Sequence, residues 1–220
     1  TVMGSTQLIS VPYSLYSEET RWVKVAGENT RIGNSGYNVT GQYNTASGFN
    51  ALNSNTTGQG NTATGRESLL SNTTGNSNVA IGARALHSNT IRNNLVALGD
   101  SALFNNGVGA NPVTFEATQN TALGAKTLFS NTTGNSNTAS GFRSLYYNTT
   151  GLENTATGSL SLFNNTTGIS NTANGEKSLF LNITGSFNTA NGMLSLANNT
   201  TGIGNTSAGY KASQLNTTGK

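Results

Sequence analysis

Glycine returns every 17 residues along this chain, at Gly48, Gly65, Gly82 and Gly99, then at Gly124, Gly141, Gly158, Gly175, Gly192 and Gly209, with one step of 25 between Gly99 and Gly124. A second column, Gly41, Gly58, Gly75, then Gly134, Gly151, Gly168, Gly185, Gly202 and Gly219, keeps the same register and is broken only where Arg92 takes its place and around the long step. The unit reads N-T-A-x-G-x-x-S-L-x-x-N-T-T-G-x-x, as in Asn137 to Glu153. Its apolar column is Leu52, Leu69, Leu86, Leu103, Leu128, Leu145, Leu162, Leu179 and Leu196, often followed by an aromatic residue such as Phe104, Phe129 or Tyr146. One or two large apolar side chains per repeat cannot fill a globular core. They can fill a narrow solenoid, where each Leu packs on the Leu of the coils above and below.

Composition agrees. Asn (34), Thr (34) and Gly (27) make up 95 of 220 residues, and all three disfavour helix interiors, which argues against a helical bundle or an ordinary α/β enzyme. Leu, Ile, Val and Phe total 44 of 220, at the border of disorder, but a net charge of only +3 lacks the self-repulsion of a disordered chain.

The expected fold is all-β: a parallel β-solenoid, or β-roll, of about eleven coils over residues 28–220, each coil carrying two short strands separated by turns. In the first strand Ala and Gly, two apart, face inward, and Thr with its variable partner faces outward. The N-T-T-G segment supplies the turn, with its Gly expected at positive φ. Columns such as Asn131, Asn148, Asn165 and Asn182 are placed to hydrogen-bond along the axis. At ~4.8 Å per coil the rod is about 50 Å long. An eight-residue insertion falls within 107–119, and residues 1–27 read as a connector in which Pro12, Tyr13, Tyr16 and Trp22 link chains.

Most chemistry is excluded. The basic balance of eleven Lys and Arg against eight acids is scattered, with no cluster for phosphate, so nucleic acid is not an expected partner. There is no cysteine, and a calcium solenoid would need an Asp in each repeat where this chain has only Asp100. No phosphate loop is present. His87 occupies a position held elsewhere by Leu70, Phe104 and Phe129, and Glu67, Asp100, Glu116, Glu153 and Glu176 do not form an obvious catalytic pair. No enzyme, cofactor or metal is expected, and no apolar run is long enough for direct membrane insertion. Sequons such as Asn55-Thr56-Thr57, Asn72-Thr73-Thr74 and Asn148-Thr149-Thr150, and the Asp100-Ser101-Ala102 triplet, leave modification open.

Three surface features remain. The outward strand positions turn apolar in the middle coils, at Val79, Ile81, Val96, Leu98 and Leu123, which points to burial against other copies and a homotrimer. The insertion, with Asn111, Pro112, Val113, Thr114, Phe115 and Glu116, is a candidate recognition loop. Arg84, Lys126, Arg143, Lys177 and Lys211 share one column, a candidate basic stripe for anionic glycans, against the alternative of simple solubility.

The segment Asn78-Val79-Ala80-Ile81-Gly82-Ala83-Arg84-Ala85-Leu86 resembles the YadA-type head repeat of trimeric autotransporter adhesins, and the longer N-T-T-G version is similar to repeats of Bacteroidota tail-fibre-domain and surface fibre proteins. The N-terminal Gln7 to Tyr16 is similar to a segment that often precedes such repeats. The resemblance implies a left-handed roll, an obligate trimer and an extracellular, cell-surface fibre or adhesin segment that attaches to a host or environmental surface. A receptor-binding tail fibre of a phage or contractile injection particle is the alternative. Ice or crystal-surface binding by the column Thr138, Thr155, Thr172 and Thr189 is a third reading. The three residues added to the commoner 14-residue unit imply a wider turn, so side-chain roles do not transfer directly.

Overall fold

The computed structural model describes residues 24–26, 29–32 and 41–219. Among the described residues, twelve short strands form one sheet in chain order: β1 Lys24–Ala26, β2 Asn29–Ile32, β3 Thr45–Ser47, β4 Thr62–Thr64, β5 Val79–Ile81, β6 Val96–Leu98, β7 Thr121–Leu123, β8 Thr138–Ser140, β9 Thr155–Thr157, β10 Thr172–Asn174, β11 Thr189–Asn191 and β12 Thr206–Ala208. β1 pairs with β2 antiparallel; from β2 to β12 every pairing is parallel and joins a residue to its equivalent one coil on, as Ala139 to Ala156. The eleven parallel strands make a β-solenoid. Its register passes through the insertion unchanged, with Ala97 opposite Ala122. Pro12, Tyr13, Tyr16 and Trp22 of the expected connector lie outside the described residues.

Alternation along each strand fixes what is inside. The central Ala is buried throughout, at Ala63, Ala80, Ala97, Ala122, Ala139 and Ala156, while its neighbours face outward. The Leu column closes the core from the other side, from Leu69 to Leu196, and every member is essentially inaccessible to solvent.

Among the described residues the second strand of the coils does not form. From the first glycine to the leucine every other residue takes positive φ, as at Gly141 (129°), Arg143 (54°) and Leu145 (51°), which coils the chain too tightly for a strand. The segment is nevertheless tied to both neighbouring coils: the Arg143 amide donates to Ala125 O (3.0 Å), and the Leu145 amide donates to Ser161 O (3.0 Å). A non-glycine residue in this region costs roughly 1–2 kcal/mol, and burying a Leu side chain returns about 1.5–3 kcal/mol. The magnitudes explain why Leu, rather than Gly or Asn, holds the position.

The two glycine columns serve different needs. In the first, φ lies far into the left-handed half, and a Cβ at Gly141 would sit 2.6 Å from the carbonyl of Gly158. The N-T-T-G glycines, in contrast to the expectation, do not take positive φ. They are required for space: a Cβ at Gly151 would lie 2.4 Å from Asn148 Oδ1 and 2.5 Å from Gly168 O.

The Asn columns form two buried amide ladders. Asn148 Nδ2 donates to Asn131 Oδ1 (2.9 Å) and to Gly151 O (2.9 Å), and Asn148 Oδ1 accepts from Asn165 Nδ2 (2.8 Å). In the second ladder Asn154 Oδ1 accepts both the amide (3.0 Å) and Nδ2 (3.1 Å) of Asn171. Thr149 O collects the amides of Thr132, Thr133 and Gly134 together with the Thr132 hydroxyl. On another edge six rings stack in a continuous file, His87, Phe104, Phe129, Tyr146, Phe163 and Phe180, with centroids 4.7–5.5 Å apart. Each coil thus satisfies its polar groups on its neighbours, so it has little structure of its own to keep if one is removed.

Candidate interaction surface

The insertion leaves the roll after Asn106 and rejoins at Ala117, which takes the place of an N-T-T-G glycine and whose carbonyl accepts from Asn106 Nδ2 (2.9 Å). Both ladders are interrupted at this level. With Asn106 turned to Ala117, Asn89 Oδ1 is left buried and without a partner; in the other column Leu95 replaces Asn and lies fully buried. Arg92, the break in the second glycine column, belongs to the same discontinuity. Its side chain is buried and passes over Gly107, where a Cβ would meet Arg92 Cγ at 3.2 Å. Its guanidinium donates to Asn111 O (2.6 Å) and Thr114 O (2.9 Å), so a buried cation in the coil below holds the loop by its backbone.

The loop is also tied to itself. Glu116 Oε2 accepts the Asn111 amide (2.7 Å), Asn111 Oδ1 accepts the Val113 amide (3.0 Å), and the Thr114 and Thr118 hydroxyls donate to Asn111 O and Phe115 O. Pro112, Val113, Thr114 and Phe115 are exposed, and the apolar pair Val113 and Phe115 reaches 87% and 86%. Arg92→Ala is expected to free this loop at a cost of about 1–2 kcal/mol in overall stability. Limited proteolysis checks it: cleavage within 107–117 should accelerate severalfold while the rod stays intact.

The outward strand positions are as expected. Ile81, Leu98 and Leu123 are exposed, Val79 and Val96 are half-buried, and the alternating Ala80, Ala97 and Ala122 are interior. The same face carries Thr62 and Thr64 on one side of the patch and Thr138 and Ser140 on the other. The apolar patch is therefore confined to β5–β7, and the insertion emerges between β6 and β7. Farther along, Thr138, Thr155, Thr172 and Thr189 are exposed on this face in successive coils.

The basic column is less continuous than its spacing suggests. Ser101, Leu160 and Leu194 interrupt it, and Arg84 is paired with Glu67 (Nε to Oε2, 3.0 Å), which Arg66 also contacts. Arg143 lies over the Phe142 and Tyr146 rings and Lys211 over Tyr210, while Lys126 and Lys177 are half-buried. The hydrogen bond from Arg84 holds the Glu67 carboxyl below its ordinary value; burial at the head of the ring stack holds His87 below its own. His87 packs on Phe104, a structural use of the ring.

Accessibility narrows modification. Asn55, Asn72 and Asn148 of the sequons are buried with their amide nitrogens engaged in the ladders, and Ser101 is buried as well. None is presented to a transferase by the folded chain. Among the described residues no group of three or more His, Cys, Asp or Glu side chains is placed to hold a metal ion, and no helix is long and apolar enough to cross a membrane.

Sequence reasoning found the loop and the patch but missed the Arg92 clamp. The signal was present in the glycine column, which loses its glycine in the coil immediately before the insertion. Comparison with protein-family models, with curated proteins and with solved structures gives no match.

Proposed function

We propose that the chain is a segment of a non-enzymatic, homotrimeric extracellular fibre of the adhesin type, a rod that projects attachment sites from a cell surface. The observation that carries this reading is the apolar patch of Ile81, Leu98 and Leu123 on a strand face that is polar in the coils on either side. Large apolar side chains presented together at a surface favour a partner, and a closed rotational assembly buries them on identical copies without open-ended growth. Dense coil-to-coil hydrogen bonding suits a stiff rod. The loop, repeated around the axis, supplies a collar whose weak individual contacts add through multivalency.

Sedimentation equilibrium or mass photometry of the full chain is expected to show a species three times the 22.7 kDa protomer. Replacing Ile81, Leu98 and Leu123 together by threonine, the residue common on this face, is expected to give a folded monomer. A stable monomer of the unaltered chain overturns the trimer. Binding of the assembled rod to host cells and to a glycan array, with and without residues 109–116, then tests attachment; a rod that adheres to neither removes the adhesin role.

A further inference from the structure

Two apolar features of the surface lie at one height. Val113 and Phe115 stand on a loop that emerges between β6 and β7, and Ile81, Leu98 and Leu123 occupy β5–β7. Within one chain they do not cover each other, since all five side chains remain exposed. The loop is not a slack excursion: Arg92 holds two of its carbonyls, and Glu116 and Asn111 hold its backbone amides, so Val113 and Phe115 are presented at little further entropic cost.

We propose that the insertion is an intersubunit clasp, in which Val113 and Phe115 of one copy cover the edge of the Leu98 patch on the neighbouring copy. The occupant of the patch is thus a second copy of this chain, and the inference rests on the trimeric reading. The argument is one of symmetry. Rotation about an axis parallel to the rod carries every residue to the same height on the next copy. A loop at the level of β6 and β7 therefore meets its neighbour at β6 and β7, where that neighbour is apolar. Above and below, the same face bears Thr and Ser, which offer an aromatic ring no comparable gain. The coincidence of insertion, clamp and patch in the same coils follows if they form one interface. A loop directed only at an outside ligand would need no apolar strand face at its own level.

The chain has no cysteine, so the test is clean. Chains carrying only Phe115→Cys are co-refolded with chains carrying only Leu98→Cys and oxidised with copper–phenanthroline; each variant alone and a Phe115→Cys with Ile203→Cys mixture serve as controls. The expected result is a reductant-sensitive dimer band in the first mixture, at least about tenfold stronger than in the controls. A parallel Phe115→Ser variant is expected to leave the rod folded, because the ring is exposed in the single chain, and to raise the concentration for half-dissociation of the assembly by about tenfold or more. An assembled trimer with no cross-link above the controls, or with unchanged dissociation in Phe115→Ser, overturns the clasp and leaves the trimer standing. A monomer of the unaltered chain overturns both.

Discussion

Gly141→Ala is expected to break the rod at its middle, although it adds a single methyl group. The φ of Gly141 is 129°, a region that costs a side chain of order 1–3 kcal/mol, and the new Cβ would lie 2.6 Å from the backbone carbonyl of Gly158. Backbone cannot rotate out of the way as a side chain can. The neighbouring coil must shift, and with it the Ala139 to Ala156 pairing. A loss of at least ~3 kcal/mol is expected, seen in urea as an early transition of the coils around β8 and β9, since solenoid stability is a sum over coils and their contacts. Gly109→Ala is the control. Gly109 also has positive φ, 72°, but nothing stands within 4 Å of a Cβ there, so only the conformational cost of roughly 1–2 kcal/mol is expected. Equal effects of the two changes would show that φ alone, and not coil-to-coil contact, fixes the first glycine column.

Asn148→Ala is the second change of large expected effect. It removes a donor shared by Asn131 Oδ1 and Gly151 O and the acceptor of Asn165 Nδ2, all in a fully buried file. Asn165 Nδ2 retains Gly168 O and Gly151 O retains Asn137 Nδ2, whereas Asn131 Oδ1 loses its partner. At about 1–3 kcal/mol for the one buried group left unsatisfied and roughly 0.5–1.5 kcal/mol for each of the two other hydrogen bonds lost, the total is about 2–6 kcal/mol. Urea denaturation with amide hydrogen exchange checks it: protection should fall first around Thr133 to Gly151 and spread to adjacent coils. A change below ~1 kcal/mol would mean that water enters the ladder and takes over its bonds. The native chain tolerates such orphans at Asn89 Oδ1, beside the insertion where the ladder is already broken, and at Asn199 Oδ1.

Much of the architecture was legible because the repeat makes each residue type a column rather than a single choice. Ala in the strand, Leu in the core and Asn in the turn recur so often that their roles follow from one coil, and the parallel register follows from the 17-residue spacing. The outward direction of Ile81, Leu98 and Leu123 was likewise readable from the alternation around Ala80, Ala97 and Ala122. The second strand was misread because S-L followed by an aromatic looks extended by propensity. Its conformation is set instead by the need to bring Leu back over the strand Ala in a coil of only 17 residues, which forces positive φ on residues that do not favour it. The N-T-T-G glycine was misread for a related reason: positive φ is the common cause of a turn glycine, but here the cause is a carbonyl in the next coil.

The repeat, the parallel stacking, the inward and outward sets of residues and the place of the insertion are written in the order of the amino acids alone. All of these depend on periodicity, which is local and additive along the chain. Packing between coils adds that Arg92 grips the loop, that both Asn ladders break beside it, that Arg84 is paired with Glu67 and that the sequon asparagines are sealed inside. Those depend on which groups meet across adjacent coils, and a departure from the repeat acquires its meaning only from the neighbour it faces.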